Sequence, residues 1–180
     1  MGLKYTIEGE EDVLIAEAED VIKKSIFTAY LYNVSNEEQI FKIIDNIKNQ
    51  NRDAKHVVFA YRLENTGKYT DDKEPQNTAG KPIYSMLEKE NLVNVLIVVT
   101  RYFGGILLGT GPLTRAYLGV ASKALNKATK CEFVKYEIKE YELDYSQEKQ
   151  KVLEINKLNG KVLEIKYEQN VKIIAKMPIK

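Results

Sequence analysis

The segment VLIAEAEDVIKKSIFTAYLYNV (Val13–Val34) alternates in the manner of a strand, a turn and a second strand. It sets Phe27, Ala29 and Leu31 on one face and Ile26, Thr28 and Tyr30 on the other. The period then changes. Ile40, Ile43, Ile44 and Ile47 recur at i, i+3, i+4 and i+7, which predicts an amphipathic helix reaching about Gln50. Ser35 and Glu38 supply the S-x-x-E signature of a capping box at its start. HVVFAYRL (His56–Leu63) predicts a strand, Lys81–Glu90 a short helix and Asn94–Tyr102 a buried strand. Between the first two, Glu64–Gly80 has no period and predicts a long polar loop, a feature that is uncommon in compact domains and often functional. After the glycine-rich RYFGGILLGTGPLTRAY (Arg101–Tyr117), a helical stripe runs from Leu113 through Ala116, Tyr117, Val120, Ala121 and Ala124 to Ala128.

The pattern shifts again beyond Cys131. EFVKYEIKEYELDY alternates over more residues than one strand usually holds, so a domain junction is placed near Tyr136, dividing the chain into 1–135 and 136–180. Ser146 is positioned to cap a helix that reaches about Leu158 and ends at Asn159-Gly160. KVLEIKY and VKIIAKM follow as strands around the turn Glu168–Asn170. The tail therefore reads β-α-β-β, and the whole chain reads as an α+β protein of two domains.

Charge narrows the function classes. Basic residues number 27 and acidic residues 26, which argues against nucleic-acid binding by bulk charge alone. One cysteine, Cys131, permits no internal disulfide and fits a reducing compartment. The N-terminal residues lack the apolar stretch of a signal peptide, and VNVLIVVT (Val93–Thr100) is far too short to span a bilayer. These features predict a soluble cytoplasmic protein with no membrane partner.

The glycine-rich stretch carries Gly104, Gly105, Gly109 and Gly111 between a buried strand and a helix, where backbone N–H groups can hold an anion. The nucleotide signatures fail. A P-loop needs Lys-Ser or Lys-Thr after Gly109, where Thr110-Gly111 stands, and G-x-G-x-x-G begun at Gly109 ends on Thr114. Two readings stay open: a tight crossover, and a loop that meets a ligand or partner. Arginine is used only at Arg52, Arg62, Arg101 and Arg115, with lysine elsewhere. Arg101 and Arg115 bracket the glycines, and Arg62 ends the His56 strand. Their planar forks call for a carboxylate or an anion, either internal, from Asp71, Asp72 or Glu74, or bound. The acidic trio matches no calcium or magnesium loop, and a single histidine excludes a His-rich zinc site. Nothing selects a nucleophile for His56, so no catalytic residue, cofactor or metal is assigned. Tyr61, Tyr69, Tyr102, Phe103 and Tyr117 add aromatic surface for stacking or for packing. The candidate ligand- or partner-binding set is His56, Tyr61, Arg62, Asp71, Asp72, Glu74, Thr78, Arg101, Tyr102, Gly104, Gly105, Gly109, Gly111 and Arg115.

K-S-x-F (Lys24–Phe27), H-x-x-x-A-Y-R (His56–Arg62), D-D-x-E-P-x-x-T-A-G (Asp71–Gly80), V-V-x-R-Y-F-G-G-x-x-L-G-x-G (Val98–Gly111) and L-x-R-A-Y (Leu113–Tyr117) occur in this order. Together they resemble the IMPACT/YigZ family over about residues 13–130. The resemblance implies a first domain similar to the second domain of a small-subunit ribosomal protein and to ribonuclease PH, with a left-handed βαβ crossover. It implies a second, ferredoxin-like domain similar to those of elongation factor G; a full β-α-β-β-α-β unit needs a further helix and strand, so this domain is expected to be either shortened or completed by a partner. The chain departs from the family pattern at Lys73 and Asn77, where glycine is usual, and at Ile26, Gln76, Pro112 and Thr114. The family implies translation-linked regulation. Its eukaryotic members compete for the activator of a starvation-responsive initiation-factor kinase, using an N-terminal domain with no counterpart in these 180 residues. The expectation is a non-enzymatic binding protein whose surface is formed by the DDKEPQNTAG and RYFGGILLGTG loops, with a translation-associated protein or RNA as partner. The alternatives are an enzyme or small-ligand binder that holds a phosphate at the glycine-rich loop with Asp71 or Asp72 as acid/base, and a direct RNA-binding protein.

Overall fold

A computed structural model describes residues 3–179. The chain divides into two compact units, Met1–Phe133 and Val134–Lys180.

The first unit runs β1 (Tyr5–Ile7), β2 (Leu14–Ile22), β3 (Ser25–Asn33), α1 (Glu37–Gln50), β4 (His56–Arg62), β5 (Gly67–Thr70), α2 (Gly80–Lys89), β6 (Val95–Tyr102), α3 (Thr110–Asn126) and β7 (Lys130–Glu132). Five strands form an antiparallel sheet in the order β2-β3-β6-β4-β5, and β1 pairs with β7 apart from it. Lys23 and Lys24, both at positive φ, make the tight turn between β2 and β3. One face of the sheet packs Phe27, Ala29, Leu31, Val58, Ala60, Ile97 and Val99 against α2 and α3. The other packs Val57, Tyr61, Leu96 and Val98 against the Ile40, Ile43, Ile44 and Ile47 stripe of α1. This explains why β6 reads as an unbroken apolar run: a strand covered on both faces has no polar side to alternate with.

Three sequence expectations are corrected. The cap of α1 is Asn36, whose side chain accepts from the Gln39 N–H at 3.0 Å. The helix starts one residue later than S-x-x-E implies, so Ser35 bonds Glu11 instead and Glu38 pairs with Lys42 at 2.7 Å. The supposed loop Glu64–Gly80 contains β5, an edge strand of four residues, too short to show a period. In the second unit Ser146 is not the cap. Asp144 and Gln147 form a reciprocal capping box around a 3-10 turn, Tyr145–Gln147, that feeds α4 (Glu148–Lys157).

The second unit is β8 (Tyr136–Leu143), that turn and α4, β9 (Lys161–Tyr167) and β10 (Val171–Pro178). Its antiparallel sheet has the order β8-β10-β9. The two strands joined through the helix thus lie on either side of the third. Ile155 of α4 packs on Val171, Ile173, Ala175 and Met177 of β10. Asn159 at φ 57° and the Gly160 N–H on the Ile155 carbonyl end the helix as its sequence predicts. Among the described residues no helix is long and apolar enough to cross a membrane.

Candidate functional site

The start of β3, the end of β6 and the start of β4 lie side by side at one end of the sheet. Their register places Phe27, Arg101 and His56 in a row across three strands, on the face that meets α2 and α3. The loop from Asp71 to Ala79 closes over this row. Asp72, Lys73 and Asn77 adopt positive φ there. Lys73 and Asn77, where the resemblance implies glycine, are both left-handed, a conformation that glycine adopts without strain.

Each acidic side chain of that loop has an internal task. The Asp71 carboxylate accepts from the N–H groups of Asn77 (2.8 Å), Ala79 (3.1 Å) and Gly80 (2.9 Å), capping α2 from a distance. Asp72 accepts from the Val57 N–H at 2.6 Å, and its carbonyl lies 2.6 Å from His56 Nδ1. A carbonyl only accepts, so Nδ1 carries the proton. Glu74 is the centre. Its Oε1 accepts from Arg101 Nη1 at 2.6 Å and from the Tyr117 hydroxyl at 2.7 Å, with His56 Nε2 at 3.6 Å. The Glu74 and Arg101 side chains are 4% and 7% exposed. Burial, and then the bond to Glu74, pushes the Tyr117 phenol far above its ordinary range. The Arg101 guanidinium also lies over the rings of Phe27 (5.4 Å) and Phe103 (5.7 Å). This is a buried, paired carboxylate that fastens the acidic loop to the sheet and to α3.

What faces outward is the segment between β6 and α3. The Gly104 N–H donates to the buried Ser25 hydroxyl at 3.2 Å, and a Cβ on Gly104 would lie 2.1 Å from the Lys24 carbonyl carbon. Only glycine permits that approach. Gly109, at φ 82° and ψ 161°, opens α3 with no side-chain cap. Between them Leu108 is buried, whereas Ile106 is 42% exposed and Leu107 83% exposed; Phe103, just before Gly104, is also 42% exposed. The Lys55 ammonium lies 5.5 Å over the Phe103 ring. Arg115, one turn into α3, is exposed and has no partner among the described residues. Its Nη1 passes 3.6 Å from the Cβ position of Gly111, and Gly105 at φ 85° stands in open space.

The structure brings His56, Asp71, Asp72, Glu74, Thr78, Arg101 and the glycines into one region. Tyr61 and Tyr102 leave by the opposite face, as their register parity requires: Tyr61 bonds Glu37, and Tyr102 bonds Asn51 at 2.9 Å. Arg62 lies at the far end of β4 and donates to the carbonyls of Leu87 (3.2 Å) and Leu92 (3.0 Å), tying down the end of α2. The sequence set omits Ser25, Tyr117, Ile106 and Leu107. A cue for the last two exists, since ILL is too apolar for a loop without a task. Among the described residues no group of three or more His, Cys, Asp or Glu is placed to hold a metal ion.

The model of the Impact N-terminal domain family matches residues 23–125. The chain belongs to the IMPACT family. The matched segment includes every member of the Glu74 cluster and the whole of the exposed loop. IMPACT family member YvyE of Bacillus subtilis (strain 168) is 44% identical over 113 residues, covering 61% of this chain and 52% of that protein. IMPACT family member YigZ of Escherichia coli (strain K12) is 36% identical over 114 residues, covering 60% and 55%. The chain thus spans about half the length of these curated relatives. A crystal structure described only as that of a hypothetical protein is similar at a TM-score of 0.65 and 28% identity, over 92% of this chain and 84% of that one.

Proposed function

We propose that this IMPACT family chain is a cytoplasmic binding protein that regulates translation, and that it binds through the Phe103–Gly109 loop beside the Asp71–Gly80 loop. Family membership supports the translation link. The observation that carries the binding surface is Leu107, 83% exposed at the tip of a loop whose base is anchored by Leu108, the Gly104–Ser25 bond and the Glu74–Arg101 pair. Exposed apolar side chains on a fastened base suit a partner pocket, because little ordering remains to be done on binding. Lys55 and the unpaired Arg115 favour a partner with an acidic rim. The two sequence-derived fold analogies belong to the same proposal. The order β8-β10-β9, with a helix after the first strand, supports a ferredoxin-like arrangement in the second unit, and the helix-covered antiparallel sheet supports the ribosomal-protein and ribonuclease PH type for the first. The test is affinity capture of ribosomal particles and translation factors by the wild-type chain and by Leu107→Asp. Wild type is expected to retain a translation component and the variant to lose it by about tenfold or more. Capture of none, or equal capture by both, contradicts the reading.

A second reading rests on a different observation. The first N–H groups of α3 have no side-chain cap, and Arg115 is unpaired next to them. A phosphate group, free or on RNA, fits there. Asp71 and Asp72 are engaged with backbone N–H groups, which leaves this reading as anion binding without acid/base chemistry. Affinity for RNA that is flat with salt removes the nucleic-acid form, and no response of the Gly109 and Gly111 amide resonances to inorganic phosphate removes the rest.

A further inference from the structure

We propose that the Phe103–Gly109 loop also docks this chain, reversibly, on anionic lipid bilayers, with Ile106 and Leu107 entering the acyl border and a collar of lysines and arginines meeting the headgroups. This goes beyond the translation reading and gives the same loop a second occupant. Two observations carry it. The first is the apolar tip. The loop has no polar side chain, and Phe103, Ile106 and Leu107 stand exposed on it, Leu107 at 83%. The second is the collar. Lys23 and Lys24 make the hairpin turn against which Gly104 packs. Arg52 and Lys55 lie in the turn before β4, where the Lys55 N–H donates to the Arg101 carbonyl at 2.8 Å and its ammonium stands over the Phe103 ring. Lys73 follows Asp72, whose carbonyl accepts from His56 Nδ1. Arg115 is one turn into α3. All six are exposed, and none meets a carboxylate among the described residues. In the same segments Asp71 and Asp72 accept from backbone N–H groups and Glu74 is buried against Arg101, which leaves Asp53 as the one exposed carboxylate. A chain of net charge +1 thus gathers unpaired cations around its most exposed large apolar side chain.

Charge and side-chain type select the occupant. The cations come from four separate segments that meet at this end of the sheet, an arrangement that suits a plane of diffuse negative charge. A protein pocket with an acidic rim uses Lys55 and Arg115 and leaves Lys23, Lys24, Arg52 and Lys73 without counter-charges; a bilayer surface engages them together. Ile106 and Leu107 are aliphatic and offer no π face on which a base could stack, whereas hydrocarbon accepts them. Neither component holds by itself, since three apolar side chains bury little area and the pull of headgroups decays within a Debye length, but the two add. The fastened base of the loop spares the cost of ordering it on contact. The sequence expectation of no membrane partner rested on the lack of a spanning or leader segment. A docking loop needs neither, and its collar exists only once the fold brings the four segments together.

The chain has no tryptophan, so Leu107→Trp places a single fluorescent reporter at the tip, and Phe41→Trp, at an exposed position on α1, serves as control. With vesicles of phosphatidylcholine and about one-third phosphatidylserine, emission of the Leu107→Trp chain should shift to the blue and be quenched by brominated acyl chains, and that of Phe41→Trp should do neither. Cosedimentation of the full chain with these vesicles should weaken about tenfold in Lys55→Glu and again in Lys73→Glu, fall with added salt, and fall about tenfold or more with phosphatidylcholine alone. No emission shift with the anionic vesicles, an equal shift at the two positions, or charge variants that bind as wild type does overturn the proposal. So does capture of homopolymer RNA by a chain that leaves the vesicles unbound. Vesicle binding without capture of a translation component leaves this inference standing and removes the translation reading; capture without vesicle binding does the reverse.

Discussion

At the scale of single residues, Glu74 decides most. Its carboxylate lies among Arg101, Tyr117 and His56 in a place closed to water, and a buried pair is costly to break from one side. Glu74→Gln should lower unfolding stability by about 3–5 kcal/mol in urea titration, since Arg101 keeps its charge and loses its counter-charge. A small effect would mean that Arg101 finds solvent. Lys73 holds φ 66° at a position where glycine is unstrained. Lys73→Gly should therefore stabilise by roughly 0.5–1 kcal/mol in the same assay, the left-handed cost exceeding the glycine entropy. Burial, aided by the Glu8 charge, raises the Cys131 thiol above its ordinary value. Only the thiolate reacts, so alkylation of folded Cys131 at pH 8 should be slower than that of the unfolded chain, and the difference should shrink as pH rises past the folded value. Residue identity was legible at this scale, and pairing was not. The sequence offered three carboxylates for Arg101, and only the path of the loop, through residues at positive φ, brings Glu74 rather than Asp71 or Asp72 to it.

The elements were legible where the period was strong. The Ile40–Ile47 stripe, the α3 stripe and the β2–β3 alternation each form the predicted element. The boundaries moved where two local chemistries competed: Ser35 against Asn36 at α1, and Ser146 against Asp144 at the 3-10 turn. β5 escaped notice because four polar edge residues carry no period. The glycine-rich connection between β6 and α3 separates two uses of glycine that sequence alone merges. Gly104 is required by contact with the Lys24 backbone, and Gly109 by its dihedral angles in open space. Gly104→Ala should thus disturb the β2–β3 turn, visible as shifted Lys24 and Ser25 amide resonances, and cost about 1–3 kcal/mol. Gly109→Ala should cost a similar amount with shifts confined to the start of α3, because nothing stands within 4 Å of the added carbon. Identical spectra for the two variants would refute the distinction.

At the scale of the molecule, the first unit sets a locked interior against an apolar loop on its surface. The sequence pointed to this region through its motifs but directed attention to the arginines and acids, most of which the fold turns inward. It passed over Ile106 and Leu107, whose apolar run is a cue in the sequence but whose exposure needs the fold to be seen. In the proposed function the interior cluster positions the loop and the loop binds. Cosedimentation of purified ribosomal particles and translation factors with wild type, Leu107→Asp and Arg115→Glu measures this most directly, with far-ultraviolet dichroism confirming that both variants stay folded. Wild type should bind a translation component, with binding abolished by Leu107→Asp and weakened by Arg115→Glu, as the proposed function requires. Undiminished binding by a folded Leu107→Asp variant would contradict it.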